Sequence, residues 1–274
     1  MLILEPSRYA EAKTPLEEVP FNTLFARSVV EGAMPGVIYV DDLMNPGAFY
    51  VQHPYGMSLL YGMTDDAHFH GRLRAHLLNT EGTRHRDEWL QVAPSGWSGT
   101  IEAMVGPRLA KSADLGENRG QVVENTRVNF AFDRDRYDLQ RSEADEPVYE
   151  VVRATEAIFR SMQGTVVPRN FWPSSERFLS EGVGSCLVIE GEVACMAFSS
   201  FVHGNQLELG IETLEKYRGK GLAQLVCMAL IDYCLERGYE PVWACRLENS
   251  ASHRLAEKLG FVPALSLPYY RLVV

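Results

Sequence analysis

The sequence predicts a mixed α/β fold (an α+β mixed sheet) arranged in two halves, and three observations support this. Apolar runs typical of strands alternate with periodic segments typical of helices. Each half follows a similar order of hairpin, third strand, helix, strand, helix and strand, although no residue-level repeat relates the two. Between them, residues 133–147 are almost all charged or polar. We therefore expect a first domain at 1–135, a polar linker at 136–147 and a second domain at 148–274.

Turn residues and helix caps delimit the elements of the first half. The predicted elements are strands at 36–42, 48–52 and 57–62, a helix at 65–79, a strand at 88–93, a helix at 97–106 and a strand at 126–133. Asn45, Pro46 and Gly47 indicate the turn of the hairpin. Asp65 or Asp66 is expected to cap the first helix, because a side-chain oxygen there accepts from the free N–H groups of the first turn.

The second half is predicted to follow the same order. Its elements are a hairpin at 185–202, a strand at 206–213, a helix at 222–237, a strand at 241–248, a helix at 249–260 and a strand at 269–274. Gly238 and Gly260 are placed to end the two helices. Asn249 or Ser250 is expected to cap the second of them.

Composition places the chain among ordinary globular proteins. Its 274 residues are 46% hydrophobic and 23% charged. No apolar run approaches the roughly 18 to 20 residues that a membrane helix needs. Glu5 and Pro6 come too early for a signal peptide. We expect a cytoplasmic protein with no membrane partner, and a monomer and a homodimer both remain open.

Charge and cysteine usage narrow the possible partners. The net charge of −10 disfavours a surface that follows phosphates, so no nucleic-acid partner is expected. It suits an amine-bearing small molecule, and solubility alone explains it equally well. The five cysteines are odd in number and form no CxxC pair, which predicts reduced, buried thiols. His68 and His70 would point to different sides of a helix, so we expect no metal site.

The loop that precedes the helix at 222–237 is the most informative motif. It reads RGKG at 218–221, and two glycines there cost about 1 kcal/mol each in a regular element. Glycines allow close approach to the free N–H groups of a helix N-terminus, which favours an anion. The loop at 218–223 is therefore placed to cradle a phosphate, with Arg218 and Lys220 adding positive charge. The alternative is a turn softened by glycine, with two solvated basic residues.

Two familiar nucleotide loops do not fit the motif. The sequence contains no GxxxxGK[ST] run. Gln224 occupies the place of the third glycine in the GxGxxG fingerprint, which disfavours a nicotinamide-binding enzyme.

Two motifs in the second half together resemble those of the GNAT superfamily of acyl-CoA N-acyltransferases. The loop matches the [RQ]-x-x-G-x-[GA] pattern of that family at Arg218, Gly221 and Ala223. The run N-x-x-S-x-x-L-A-E-K-L-G-F at 249–261 is similar to its last-helix signature. The detailed match covers about residues 185–262. The wording around both motifs further resembles the subgroup that contains zwittermicin A resistance acetyltransferases, in which an N-terminal region precedes the catalytic half.

The resemblance implies a fold and a donor substrate. The second domain would be a GNAT fold whose central strands, 206–213 and 241–248, lie parallel and splay apart, preceded by a degenerate GNAT-like domain. Acetyl-CoA would enter the gap between these strands as acyl donor. The residues implied to contact it are Ile211 and Thr213 at the pantetheine, Arg218, Gly219, Lys220, Gly221, Leu222 and Ala223 at the pyrophosphate, and Asn249 and Ser252 on the CoA arm. For Asn249 a plain helix cap is an equal alternative.

The resemblance also implies an activity, N-acetyl transfer to a small-molecule amine by direct attack in a ternary complex. Such a transfer needs a base for the amine and an acid for the leaving thiolate. Glu208 and Glu212 share one face of their strand and are candidates for the base, or else exposed strand residues. Cys245 is more readily a small core residue than an acyl acceptor.

One departure from the family pattern keeps a second function open. Ala256 stands where many GNAT enzymes carry a tyrosine that protonates the thiolate. Ser252, Tyr269, Tyr270 or a water could replace it. The rival function is a degenerate GNAT pair that binds CoA or another ligand without turnover. In the first half, GMTDDAHF at 62–69 stands in the place of the glycine loop, so we expect no second CoA there.

Overall fold

The structure is a computed structural model that describes residues 1–111, 122–142 and 149–274. The chain forms two compact units. Unit 1 comprises Met1–Arg127, Arg246–Glu248 and Ser266–Val274, and unit 2 comprises Val128–Cys245 and Asn249–Leu265. No helix in the described ranges combines the length and the apolar composition needed to cross a membrane.

Unit 1 contains four helices and six strands among its described residues, and parts of three further strands. The helices are α1 Lys13–Glu17, α2 Leu24–Val30, α3 Ala67–Leu77 and α4 Gly96–Val105. The strands are β1 Leu2–Ile3, β2 Val37–Val40, β3 Ala48–His53, β4 Met57–Gly62, β5 Glu88–Ala93 and β6 Leu109–Lys111. Three strands have residues in both units: β7 Val122–Phe132, β12 Glu240–Arg246 and β13 Phe261–Leu272.

The remaining described elements belong to unit 2. Its helices are α5 Arg134–Ser142, α6 Glu156–Ser161, α7 Ser175–Glu181, α8 Leu222–Arg237 and α9 Ser250–Lys258. Its strands are β8 Val152–Arg153, β9 Gly184–Ile189, β10 Glu192–His203 and β11 Gln206–Thr213. The hairpins, the third strands and the long helices of both halves were predicted, and the structure confirms them.

The two units share one strand pattern. In unit 1, β2, β3 and β4 pair antiparallel and β5 then joins β4 in parallel. In unit 2, β9, β10 and β11 pair antiparallel and β12 joins β11 in parallel. In each case a long helix, α3 or α8, connects the two parallel strands, as parallel pairing requires. The similar order that the sequence predicts for the two halves is therefore present in the fold.

Each unit buries its own hydrophobic core. In unit 1, Phe69, Leu73 and Leu77 of α3 pack with Leu90 of β5 and Trp97 of α4. In unit 2, the buried face of α8 packs on the sheet through Val226, Leu230, Ile231 and Cys234, among others. These apolar faces hold the helices against their sheets, since burial of such side chains is the main favourable term in folding.

The predicted linker at 136–147 differs from the structure where it is described. Residues 136–142 belong to α5, and Tyr137 is buried there, with its hydroxyl donating to Asp232 Oδ1 of α8 at 2.6 Å. One anchored aromatic residue and the Arg141–Asp232 ion pair attach this polar helix to unit 2. The rest of the predicted linker, 143–147, lies outside the described residues.

The predicted domain boundaries also differ at the C-terminus. Residues 266–274 belong to unit 1 rather than to the second half, because β13 pairs antiparallel with β5, Tyr270 opposite Leu90. Arg84 secures this segment, since its buried guanidinium donates to the carbonyl oxygen of Leu272 at 2.8 Å. A contact across 188 positions of sequence leaves no local pattern from which it could be predicted.

Candidate active site

The parallel pair β11 and β12 separates along its length. The register joins Gln206 to Glu240, Leu207 to Pro241 and Glu208 to Val242, and then stops. β11 continues to Thr213, so its last five residues are not paired with β12. Their strand-edge N–H and C=O groups on that side are free to take an extended ligand as an added strand. The predicted splay of the two central strands is confirmed.

The RGKG loop lies directly between β11 and α8. Gly219 and Gly221 have φ of 75° and 77°, a left-handed conformation that glycine adopts without strain. A Cβ atom at either position would meet no described atom within 4 Å, so open space surrounds this backbone. Gly221 is the N-cap of α8 and has no side chain to cap the helix. The first N–H groups of a sixteen-residue helix therefore face that space without a side-chain acceptor.

Two basic side chains flank the loop. Arg218 is anchored by a hydrogen bond from its Nε to the carbonyl oxygen of Thr213 at 3.0 Å, while its side chain stays 63% exposed. Lys220 lies with its Nζ 5.2 Å from the ring centre of Tyr217. Together with the helix N-terminus, they make this loop an electropositive end of the cleft. Leu222 is buried in the core, so only its backbone faces the loop.

Glu208 is a buried carboxylate at the point where the strands part. It is 6% exposed and belongs to the last residue pair, with Val242, before β11 and β12 separate. In the pairing of β11 with β10, its partner is Phe201, whose ring centre is 5.5 Å from that of Phe171. A buried carboxylate at the mouth of a gap has the placement expected of a general base.

Glu212 has a different environment, although it lies on the same face of β11. Its Oε2 accepts hydrogen bonds from the backbone N–H of Thr165 at 2.9 Å and of Val166 at 3.0 Å. Its Oε1 lies 3.6 Å from the guanidinium of Arg218. Gly164 has φ of 126°, and a Cβ there would come within 2.5 Å of the Glu212 side chain. Glu212 thus joins the segment 164–166 to the anchored arginine of the loop.

The other predicted residues have mixed environments. Asn249 caps α9, since its Oδ1 accepts from the N–H of Ser252 at 3.2 Å, and the Ser252 hydroxyl accepts from Trp243 Nε1 at 3.3 Å. Ile211 is half-buried against the core of unit 2, and Thr213 lies 3.0 Å, Oγ1 to Sγ, from Cys195. Ile211 and Thr213 both lie on the stretch of β11 that is not paired with β12.

The candidates for the thiolate acid belong to different units. Ala256 is fully buried in the core of unit 2. Tyr269 and Tyr270 are buried residues of unit 1, where Tyr270 packs in the core and Tyr269 stacks on Trp89 at 5.0 Å. Of the candidate acids, Ser252 lies in unit 2, where its hydroxyl accepts a hydrogen bond from Trp243 of the splayed strand β12.

The five cysteines are buried and form no disulfide among the described residues, in agreement with the prediction. Burial raises the pKa of Cys186 to about 12 and that of Cys195 to about 11, so these thiols stay protonated. In the described ranges, no group of three His, Cys, Asp or Glu side chains is arranged to hold a metal ion. His70 instead contacts the carbonyl oxygen of Thr64 at 3.0 Å and the ring of Trp97.

Sequence reasoning missed the segment 164–166. Thr165 and Val166 lie 47 and 46 positions before Glu212, to which their N–H groups donate. Gly164 was the available signal, because a glycine beside Thr165 and Val166 in a short apolar stretch indicates a special backbone conformation. That signal does not identify the carboxylate that the backbone surrounds.

Comparison with known proteins agrees with this geometry. The profile of a family described as GNAT acetyltransferase matches residues 16–270. The chain belongs to the GNAT acetyltransferase family. A Bacillus subtilis protein named uncharacterized N-acetyltransferase YdfB is 26% identical over 258 residues, which are 94% of this chain and 93% of that protein. The expectation of an acetyltransferase is confirmed at the level of the family.

Solved structures show the same GNAT fold. A GCN5-related N-acetyltransferase-like protein from Streptococcus suis matches with a TM-score of 0.71 and 22% identity, covering 97% of this chain and 99% of that one. A tandem GNAT protein from the clavulanic acid biosynthesis pathway matches with a TM-score of 0.61 and 13% identity, covering 98% and 97%. At these identities the likeness establishes the fold, and it extends over both units.

Proposed function

We propose that this GNAT protein transfers the acetyl group of acetyl-CoA to the amine of a small molecule, by direct attack in a ternary complex. The observation that carries the proposal is the parting of β11 and β12 beside an uncapped, glycine-lined helix N-terminus. The resemblance to zwittermicin A resistance acetyltransferases supports an antibiotic-like or metabolite amine as acceptor. Neither nucleic acid nor a membrane takes part, and the protein acts as a monomer or homodimer.

The donor fits the residues of unit 2. The pyrophosphate of acetyl-CoA takes hydrogen bonds from the backbone of Gly219, Gly221 and Ala223, with Arg218 and Lys220 supplying charge. The open space around the two glycines and the exposure of the Arg218 side chain support this assignment. The pantetheine amides pair with the free edge of β11 at Ile211 and Thr213, as an added strand would. Asn249 contributes chiefly as the cap of α9.

Glu208 is the proposed general base. It takes a proton from the acceptor ammonium, directly or through a water, and leaves a neutral amine. The amine nitrogen then attacks the thioester carbonyl carbon, the C–S bond breaks, and CoA leaves as a thiolate that takes up a proton. With a buried alanine at position 256, that proton comes from the Ser252 hydroxyl or from water.

Glu212 is a positioning residue in this scheme. Both of its oxygens already have partners, two backbone N–H groups at Oε2 and Arg218 near Oε1. These contacts fix the position of the carboxylate. Its role is to hold the segment 164–166 and the pyrophosphate loop in place together.

Unit 1 is proposed to be a GNAT-like domain without its own CoA. Here β4 and β5 stay paired over five positions, from Met57–Trp89 to Tyr61–Ala93, so the strands leave no comparable gap. Asp66 caps α3 by accepting from the N–H of Phe69 at 2.5 Å, and its negative charge would repel a pyrophosphate.

Thiol release from acetyl-CoA in the presence of an amine panel tests the proposal. The buried cysteines give little background with a thiol reagent. We expect thiol release that depends on one class of amine, together with the acetylated amine by mass spectrometry. CoA binding without turnover for any amine would instead support the degenerate binding pair, the function that Ala256 favours.

A further inference from the structure

A cluster of aromatic rings and guanidinium groups lies within unit 1, on residues that the acetyl-transfer scheme does not use. The rings of Trp89 on β5 and Tyr269 on β13 stack with their centres 5.0 Å apart. The guanidinium of Arg246 lies 4.6 Å from the centre of the Trp89 ring, and that of Arg127 lies 5.2 Å from the centre of the Tyr269 ring. All four residues belong to unit 1.

One guanidinium of the cluster, that of Arg246, has no ion-pair partner among the described residues. A third guanidinium, that of Arg271, also lies near Trp89 but is paired with Asp87 at 2.5 Å. Arg246 has no carboxylate within ion-pair distance in the described part of the chain, and its contact there is the face of Trp89. Trp89 and Arg246 are both half-buried, so solvent reaches their surfaces.

A buried amide on the same face has no partner in the described ranges. Gln91 follows Trp89 by two residues on β5, so both side chains point to the same side of the sheet. Gln91 is 2% exposed, yet neither its Oε1 nor its Nε2 has a hydrogen-bond partner there. Buried polar groups are normally paired, and an exception calls for an explanation such as a bound group.

These three features recognise one kind of ligand. A guanidinium binds a carboxylate through two parallel hydrogen bonds, and aromatic rings stack on a flat apolar group. An amide offers a donor and an acceptor to a further polar atom. We propose that this face of unit 1 binds a small organic acid whose carboxylate lies next to a flat apolar group. The carboxylate pairs with Arg246, the flat group packs on Trp89 and Tyr269, and Gln91 bonds a polar atom of the ligand.

Benzoate is a minimal probe of the site, and calorimetry without acetyl-CoA isolates it from acetyl transfer. We expect benzoate to bind in the millimolar range and benzamide, its neutral analogue, about tenfold or more weakly. Arg246→Gln should weaken benzoate binding by a similar factor. Arg72→Gln is the matched control, because Arg72 is an exposed arginine of α3 in unit 1, where it pairs with Glu81. Absence of benzoate binding, or equal binding by Arg246→Gln, would overturn the proposal.

Gln91→Leu separates a binding role from a structural one. Leucine has a similar size and removes a buried amide that lacks a partner, so the midpoint of thermal unfolding should stay equal or rise. Benzoate binding should fall about tenfold in the same variant. A lower unfolding midpoint with unchanged benzoate binding would show that the amide serves the fold, and would contradict the proposal.

Two sources of such an acid are distinguished by kinetics with any accepted amine. If the acid group belongs to the acetyl acceptor, benzoate should raise the acceptor KM and leave kcat unchanged. If it belongs to a separate effector, benzoate should bind without competing. Both results support the site, and because binding is measured without turnover, a failure of the proposed acetyl transfer does not affect it.

Discussion

Glu208 and Glu212 lie four positions apart on one face of β11, and their different surroundings favour different roles. Glu208 is buried at the point where β11 and β12 part. Glu212 is held by two backbone N–H groups and lies beside Arg218. A buried carboxylate at the mouth of the gap suits proton transfer, while one held by backbone N–H groups suits positioning.

Glu208→Gln should lower kcat by about 10² to 10⁴ and leave CoA affinity unchanged, because the amide cannot accept the proton of the amine. The acidic limb of the pH–rate profile should flatten in this variant. Steady-state kinetics and calorimetry with CoA measure the two effects separately. Glu236→Gln, at an exposed position of α8, is the control and should behave as wild type. Wild-type turnover in Glu208→Gln would remove Glu208 from the mechanism.

Glu212→Gln should act mainly on substrate affinity, because the amide oxygen still accepts from Thr165 and Val166 while the charge beside Arg218 is lost. We expect KM values to rise severalfold with the acidic limb retained. Glu212→Ala removes the acceptor altogether, and losing the hydrogen bonds of two part-buried N–H groups should cost about 1 kcal/mol of stability. Denaturant unfolding measures that cost. If Glu212→Gln instead abolishes kcat and flattens the acidic limb, Glu212 is the base.

Among the helices and loops, the sequence predicted those that are long or that carry turn and cap residues. Helix α8 has sixteen residues, is apolar along most of its length and ends at a glycine, and its bounds were predicted. Helices α6 and α7 have six and seven residues, too few turns for a period to be recognised, and both were missed. The loop at 218–221 was predicted from its glycines. The contacts of Glu212 could not be, because they join positions far apart in the chain.

Gly221→Asp should abolish CoA binding at the loop. Position 221 has φ of 77° and open space around it, so the variant should fold with a penalty of about 1 to 2 kcal/mol. The new carboxylate faces the pyrophosphate, and losing two charge-assisted hydrogen bonds corresponds to more than about a hundredfold in affinity. Calorimetry with CoA is the measurement.

Gly238→Asp is the matched control for that variant. Gly238 ends the same helix with φ of 75° and likewise has open space around it. The substitution brings the same strain and the same charge, at the opposite end of α8. We expect a loss of stability at least as large, because a carboxylate is unfavourable at a helix C-terminus, with CoA affinity intact. Equal affinities in both variants would show that the loop at 218–221 does not bind CoA.

At the scale of the whole molecule, one strand pattern occurs twice, and local differences decide which copy binds CoA. In unit 2 the parallel strands pair over three positions and then part. In unit 1 the equivalent strands pair over five. Unit 2 has glycines at the start of α8, whereas unit 1 has Asp66 at the start of α3. The order of elements was visible in the sequence, but the length of each strand pairing was not, since it depends on contacts between distant residues.

These differences predict a binding stoichiometry of one acetyl-CoA per chain. The uncapped N–H groups of α8 attract the pyrophosphate. At α3, the carboxylate of Asp66 already accepts from a free N–H group of the first turn, and its negative charge repels a pyrophosphate. Calorimetry should therefore fit one site, and Gly221→Asp should leave no measurable site at all. Asp66→Asn keeps a side-chain acceptor for the cap and removes the charge. With β4 and β5 still paired from Met57 to Tyr61, this variant should also bind one acetyl-CoA. Two sites per chain in the wild type, or one remaining in Gly221→Asp, would show that unit 1 binds CoA itself.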